Sequence, residues 1–149
     1  QLMGAPAAFT ADAQARREVE LTAMRCVMEI EASLGHQAKD VSQLKCGYDI
    51  ESLLPAELRD GEGNPLRFIE VKGRVRGART VTVSKNEILT AFNKPEEYIL
   101  AIVEVDGDGC RASYLRKPFS ERPDFAATSV NYDIEELLDQ AEVILKRGY

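Results

Sequence analysis

The stretch Tyr98-Ile-Leu-Ala-Ile-Val-Glu-Val105 is apolar at nearly every position. A half-buried strand alternates apolar and polar side chains, so a short run without alternation marks a strand covered on both faces. Asp106-Gly-Asp-Gly109 follows at once and turns the chain back as a hairpin into Cys110 to Leu115. A sheet built around such a strand needs helices against it, and the sequence supplies three. Val19, Ala23, Cys26/Val27, Ile30 and Leu34 recur at three- and four-residue steps, with Gly35 where a C-terminal cap belongs. Ser84-Lys-Asn-Glu87 has the S-x-x-E form of a capping box, which starts a second helix that ends before Pro95. Asp133 caps a third, closing helix whose apolar stripe is Ile134, Leu137, Leu138, Ala141 and Ile144/Leu145.

The remaining segments read as strands and turns. Ala38 to Val41 and Gly47 to Leu54 are the first two strands, followed by a polar connection holding Pro55, Asp60-Gly61 and Gly63-Asn64-Pro65. Leu66 to Lys72 is a third, which stops at an arginine-studded Gly73 to Gly77 loop, and Thr80 to Val83 a fourth. Pro118 and Pro123 bound an irregular link. The order predicts an α/β (α+β) fold, a mixed and largely antiparallel central sheet flanked by helices. At 149 residues it is one domain over residues 10–149, after a flexible N-terminal segment over residues 1–9.

Composition narrows the function classes. The longest apolar run is far below the roughly 20 residues that cross a bilayer, so no membrane partner is expected. Cys26, Cys46 and Cys110 are odd in number and lack a C-x-x-C pair. They support neither a disulfide framework nor a zinc site, and a reducing, cytoplasmic setting fits them. A net charge of −6 argues against coating nucleic acid by bulk charge, while leaving a local patch open. No phosphate-binding G-x-x-x-x-G-K-[ST] loop is present. The chain opens Gln1-Leu2-Met3, so a piece of something longer is expected.

One polar pattern resists a packing explanation. Side chains alternate along a strand, so Glu70 and Lys72 share a face, about 7 Å apart along the backbone. Asp49 lies beside Glu70 if the second and third strands pair. Two carboxylates and an ammonium that converge this way suit phosphodiester hydrolysis. Hard oxygens hold Mg²⁺ or Mn²⁺, and the ammonium orients water and offsets phosphate charge. The plainer reading is an edge strand with a weak same-face ion pair and Asp49 as a turn residue. Around the pattern, Arg67, Lys72, Arg74, Arg76 and Arg79 against Glu70 leave +4 over residues 67–79, a local reversal suited to a phosphate backbone. His36 reads as a helix-end residue, and Tyr48, Tyr98 and Tyr114 as core or strand residues.

Gly47-Tyr-Asp-Ile-Glu-Ser52, Arg67-Phe-Ile-Glu-Val-Lys-Gly-Arg74 and Ser84-Lys-Asn-Glu87 resemble, in order, the signatures of the NO VEIN C-terminal domain family, a PD-(D/E)XK nuclease-like branch close to Mrr-type restriction endonucleases. The likeness runs from about Glu18 to Tyr132 and is greatest to the copy at the C-terminus of large superfamily-two helicases. It implies a restriction-endonuclease-like fold and a Mg²⁺-dependent DNA endonuclease domain of a helicase-like protein, acting in DNA processing or defence. By the same resemblance Asp49 and Glu70 are metal ligands and Lys72 the catalytic lysine. A carboxylate on the first helix completes the set: Glu20, with Glu31 as its rival. Eleven residues of helix, about 16 Å, keep those two from reaching one ion. Tyr48 stands where the superfamily carries proline, and the interval from Asp49 to Glu70 holds an inserted loop. Arg74, Arg76, Arg79 and Asn86 are the expected nucleic-acid contacts. The implied partners are DNA, the helicase portion of a parent chain and a second copy as homodimer. The alternative is an inactive module of the same fold that holds nucleic acid or docks on a protein.

Overall fold

Every residue of β5 (Tyr98–Asp106) up to Val103 is buried, and this strand sits inside a six-stranded sheet of order β1-β2-β3-β5-β6-β8. The computed structural model describes residues 4–58 and 65–148, with side chains from residue 11 onward; the expected turns at Asp60-Gly61 and Gly63-Asn64 lie outside the described residues. The other strands of this sheet are β1 (Gln37–Asp40), β2 (Ile50–Leu53), β3 (Leu66–Val75), β6 (Gly109–Arg116) and β8 (Glu142–Gly148). Only β3 and β5 run parallel; the other four pairings are antiparallel. A separate two-stranded sheet joins β4 (Thr80–Ser84) to β7 (Ser129–Asp133).

Helices cover both faces because β5 is apolar on both. Ile99, Ala101, Val103 and Val105 pack with Ala23, Cys26, Val27 and Ile30 of α1 (Gly4–Ser33). The alternate residues Tyr98, Leu100 and Ile102 pack with Val81 and Val83 of β4, Ile88 and Ala91 of α2 (Lys85–Asn93), and Leu137 of α3 (Ile134–Gln140). Burying one such aliphatic side chain contributes about 1.5–3 kcal/mol, so the two cores fix β5 and, through it, β3. Both halves of the expected capping box form: the Glu87 backbone N–H donates to Ser84 Oγ, and the Ser84 N–H donates to Glu87 Oε1. Asp133 caps α3 by accepting the Glu136 N–H.

Four expectations need correction. The first helix begins at Gly4 rather than near residue 10, absorbing most of the segment expected to be uncommitted. The closing helix stops at Gln140, and Glu142 to Gly148 instead form β8. Leu145 there pairs with Tyr114, so the apolar residues that resemble the end of a helical stripe satisfy the backbone edge of β6. Strand β3 does not stop at Gly73 but runs on to Val75. A Cβ on Gly73 would lie 2.6 Å from Ala23 Cβ and 3.1 Å from the Val19 carbonyl oxygen, so glycine is where α1 crosses the strand closely. Cys26 and Cys110 form a disulfide between α1 and β6, where the cysteine number and spacing support no disulfide framework and suggest a reducing setting; Cys46 is free and exposed. His36 lies at the end of α1, as expected, its N–H donating to the Glu31 carbonyl; its ring is buried, with Nδ1 2.8 Å from Glu31 Oε1.

Candidate active site

The site arises where β2 leaves β3. Ile50 is the last β2 residue paired with β3, opposite Ile69, so among the described residues the edge of β3 beyond it has no strand on that side. Asp49 fills that edge: its backbone N–H donates to the Ile69 carbonyl, and its Oδ2 accepts the Val71 N–H at 2.9 Å. The aspartate is thereby fixed beside Glu70. Because Ile69 and Val71 belong to the α1 core, Glu70 and Lys72 face the other way, toward α2.

Glu70 is 3% exposed. Lys72 Nζ lies 3.3 Å from Glu70 Oε2 and 2.9 Å from Glu87 Oε1, the same Glu87 oxygen that takes the Ser84 N–H. Two carboxyl groups thus grip one ammonium, with Asp49 beside them. Burial first, then the charges of Asp49 and Glu87, push Glu70 up to about 10, against the opposing pull of Lys72. Asp49 is also raised, mainly by burial, although the Val71 N–H and a hydrogen bond with Glu70 lower it. Burial alone would raise Glu87, but hydrogen bonds from Glu70 and Ser84 and the Lys72 charge hold it below the usual range. Burial would lower Lys72, yet Glu70 and Glu87 keep its ammonium above its ordinary value. Burial and the neighbouring acids thus favour a proton on Glu70, a bias that a cation placed against the group would oppose.

Two clefts open on this group. One, of about 460 Å³, is bordered by Asp49, Glu70, Lys72 and Arg74 and, from α1, by Arg17 and Glu20. The other, of about 220 Å³, is bordered by Asp49, Glu70 and Glu87 with Lys45 and Asn86. Of the residues singled out from the sequence, Asp49, Glu70 and Lys72 come together. Glu20 reaches the larger cleft from the α1 side, whereas its rival Glu31 is fully buried and bonded to His36 and to Tyr114 Oη at 2.9 Å. Among the described residues no three His, Cys, Asp or Glu side chains gather closely enough to hold an ion unaided. Glu20 therefore borders the site without closing on Asp49 and Glu70.

The basic cluster divides. Arg74 borders the larger cleft and Asn86 the smaller. Arg76 Nη1 binds Asp106 Oδ2 at 3.1 Å, at the hairpin, and Arg79 is exposed and borders neither of these clefts. Arg67 lies on the α1 face, over the Tyr114 ring. Sequence reasoning misses Arg17 and Lys45, which carry no motif, and it assigns Glu87 to capping alone. The S-x-x-E signal is visible, but nothing local says that the capping carboxylate also faces Lys72.

A search of curated proteins and a search of solved structures each returned no match. The family model described as Protein NO VEIN, C-terminal, matches residues 19–115, a span holding α1 from Val19, all of β2 to β5 and the whole Asp49, Glu70, Lys72 and Glu87 group. The chain belongs to the NO VEIN C-terminal family.

Proposed function

We propose that the chain is a Mg²⁺- or Mn²⁺-dependent DNA endonuclease domain of a helicase-like protein, working in DNA processing or defence. The observation that carries this reading is the pairing of Asp49 with the buried Glu70 at a cleft, with Lys72 held between Glu70 and Glu87. The donor set fits: hard carboxylate oxygens suit Mg²⁺, which keeps several waters and takes one or two protein carboxylates plus phosphate oxygens. When bound, the ion would supply charge neutralisation at the scissile phosphate.

The chain's own residues divide the remaining work. Asp49, held by the Val71 N–H, Glu70 and, from the α1 wall of the cleft, Glu20 would hold the ion. Lys72 orients the attacking water and offsets charge on the phosphate. Arg74 and Asn86, one in each cleft, dock the strand on either side, and Arg76 and Arg79 lie further along its path. DNA, the helicase portion of a parent chain and a second copy that cuts the opposite strand are the partners this reading proposes.

A second reading, an inactive module that holds nucleic acid, is favoured by one observation: among the described residues no third ligand closes with Asp49 and Glu70 on a common point. Incubation of the protein with supercoiled plasmid, with Mg²⁺, Mn²⁺ or chelator, separates the two. The nuclease nicks plasmid only with the ions and loses this with Lys72→Ala. A protein that shifts DNA in a gel but never cuts it, with either ion, is the module.

A further inference from the structure

The Lys72 ammonium is gripped on two sides, and the second grip comes from the start of α2 rather than from β3. Glu87 Oε1 is the nearer of its two carboxylate partners, at 2.9 Å against 3.3 Å for Glu70 Oε2. Glu87 is itself immobilised, because the same oxygen accepts the Ser84 N–H and its own N–H binds Ser84 Oγ. Lysine has a flexible four-carbon stem, so an ammonium held by Glu70 alone would swing with that stem. Strand β4 and helix α2 carry the second anchor, and both pack on β5 through Val81, Val83, Ile88 and Ala91.

We propose that Glu87 is a positioning residue of this active site: the N-terminal cap of α2 doubles as the clamp that fixes the Lys72 ammonium over the Asp49/Glu70 pair. This rests on the nuclease reading for its consequence in catalysis, but not for the clamp itself. Capping and clamping are separable chemically. Glutamine at the third position of a helix also completes a capping box, yet it brings no charge to Lys72. Alanine at Ser84 breaks the cap while leaving the Glu87 carboxylate on the lysine.

The test compares wild type, Glu87→Gln and Ser84→Ala as folded full chains. Acylation of Lys72 by an N-hydroxysuccinimide ester is followed by peptide mass spectrometry, and Mg²⁺-dependent plasmid nicking by its kcat and KM. A clamp predicts that Glu87→Gln speeds Lys72 acylation at least threefold, as the freed amine turns into the cleft. It also predicts a kcat at least tenfold lower with KM for DNA within twofold, at an unchanged Tm. Ser84→Ala should lower Tm and leave Lys72 acylation at the wild-type rate. Unchanged acylation in Glu87→Gln, or an equal rise in Ser84→Ala, overturns the clamp and leaves Glu87 a cap. If wild type nicks no DNA with either ion, the nuclease reading falls, and acylation alone decides the clamp.

Discussion

Asp49 Oδ2 accepts the backbone N–H of Val71, so the first acidic residue of the site also completes the sheet edge at which it sits. Structure and chemistry are therefore separable at this position. An asparagine side chain there would keep an oxygen for Val71 but lose the charge a cation needs. Asp49→Asn should abolish ion-dependent nicking while shifting stability by less than about 1 kcal/mol. Asp49→Ala should abolish nicking and also cost about 1–3 kcal/mol, because a part-buried N–H is left unsatisfied. Denaturant melts of both variants, run beside the plasmid assay, check the split.

Glu70 makes the site costly at neutral pH. Its carboxyl is pushed up from 4.5 to about 10, so between those two values the folded state holds a proton that the unfolded chain releases. Stability from this group is fully present below pH 4.5 and declines as pH rises toward 10. Asp49 is shifted the same way. Tm should fall from about pH 5 to about pH 9, and Glu70→Gln should flatten that fall and raise Tm at about pH 8 by about 2–4 °C, roughly 1 kcal/mol. Mg²⁺ should raise the wild-type Tm at that pH more than that of Glu70→Gln. A Glu70→Gln variant that melts lower than wild type under the same alkaline conditions contradicts the account.

What the sequence discloses depends on how local the physics is. The doubly buried β5, the hairpin at residues 106–109, and the α2 and α3 caps are set by neighbouring residues, and all form. The alternation that puts Glu70 and Lys72 on one face is equally local and holds. Strand β8 reads as helix because Leu137, Leu138, Ala141, Ile144 and Leu145 continue a helical spacing; only the open edge of β6, distant in sequence, makes the extended form preferable. The same kind of distance hides the Cys26–Cys110 pairing, 84 residues apart, and the choice between Glu20 and Glu31, which rests on Tyr114. Glu87 is hidden differently: its local role as a cap accounts for it fully, and its second partner, Lys72, lies on another strand.

Arg74 and Arg76 should differ in their effect on DNA. Arg74 borders the cleft, whereas the Arg76 guanidinium is already matched by Asp106. Arg74→Ala should weaken DNA binding across sequences and reduce the slope of log K against log salt by about 1. Arg76→Ala should change the slope by less, since it unmasks an aspartate but removes a charge already offset in part. Gel-shift or anisotropy titrations at several salt concentrations read both slopes.

The disulfide ties the middle of α1 to the hairpin strand β6, closing a long loop of chain that holds Asp49, Glu70, Lys72 and Glu87. Constraining so long a loop stabilises by about 4.5 kcal/mol in the chain-entropy account. Reduction with dithiothreitol, or Cys26→Ser, should therefore lower Tm by about 10 °C. Because Cys26 also packs in the α1 core, the fold itself should survive, with an unchanged far-ultraviolet circular dichroism spectrum. In a reducing compartment both residues would stay thiols, so the reduced protein is the form to assay beside the oxidised one. A Tm that does not respond to reductant would mean that the two cysteines are not bonded in solution.

Glu31 separates the structural carboxylate of α1 from the one at the cleft. It is fully buried, and His36 Nδ1 and Tyr114 Oη each contact one of its oxygens. That leaves it no free face toward Asp49 or Glu70. Tyr114→Phe strips one donor from a buried acid and should cost about 1–3 kcal/mol; Glu31→Gln should also destabilise by disturbing the same network. Neither should change kcat for plasmid nicking at temperatures well below Tm. Glu20 is exposed on the cleft wall, so Glu20→Gln should behave in the opposite way, leaving Tm unchanged within about 1 °C, since substitutions on an exposed surface rarely move stability, while lowering ion-dependent nicking. Loss of nicking in the folded Glu31→Gln variant, with Glu20→Gln fully active, would reverse the assignment of the helix carboxylate.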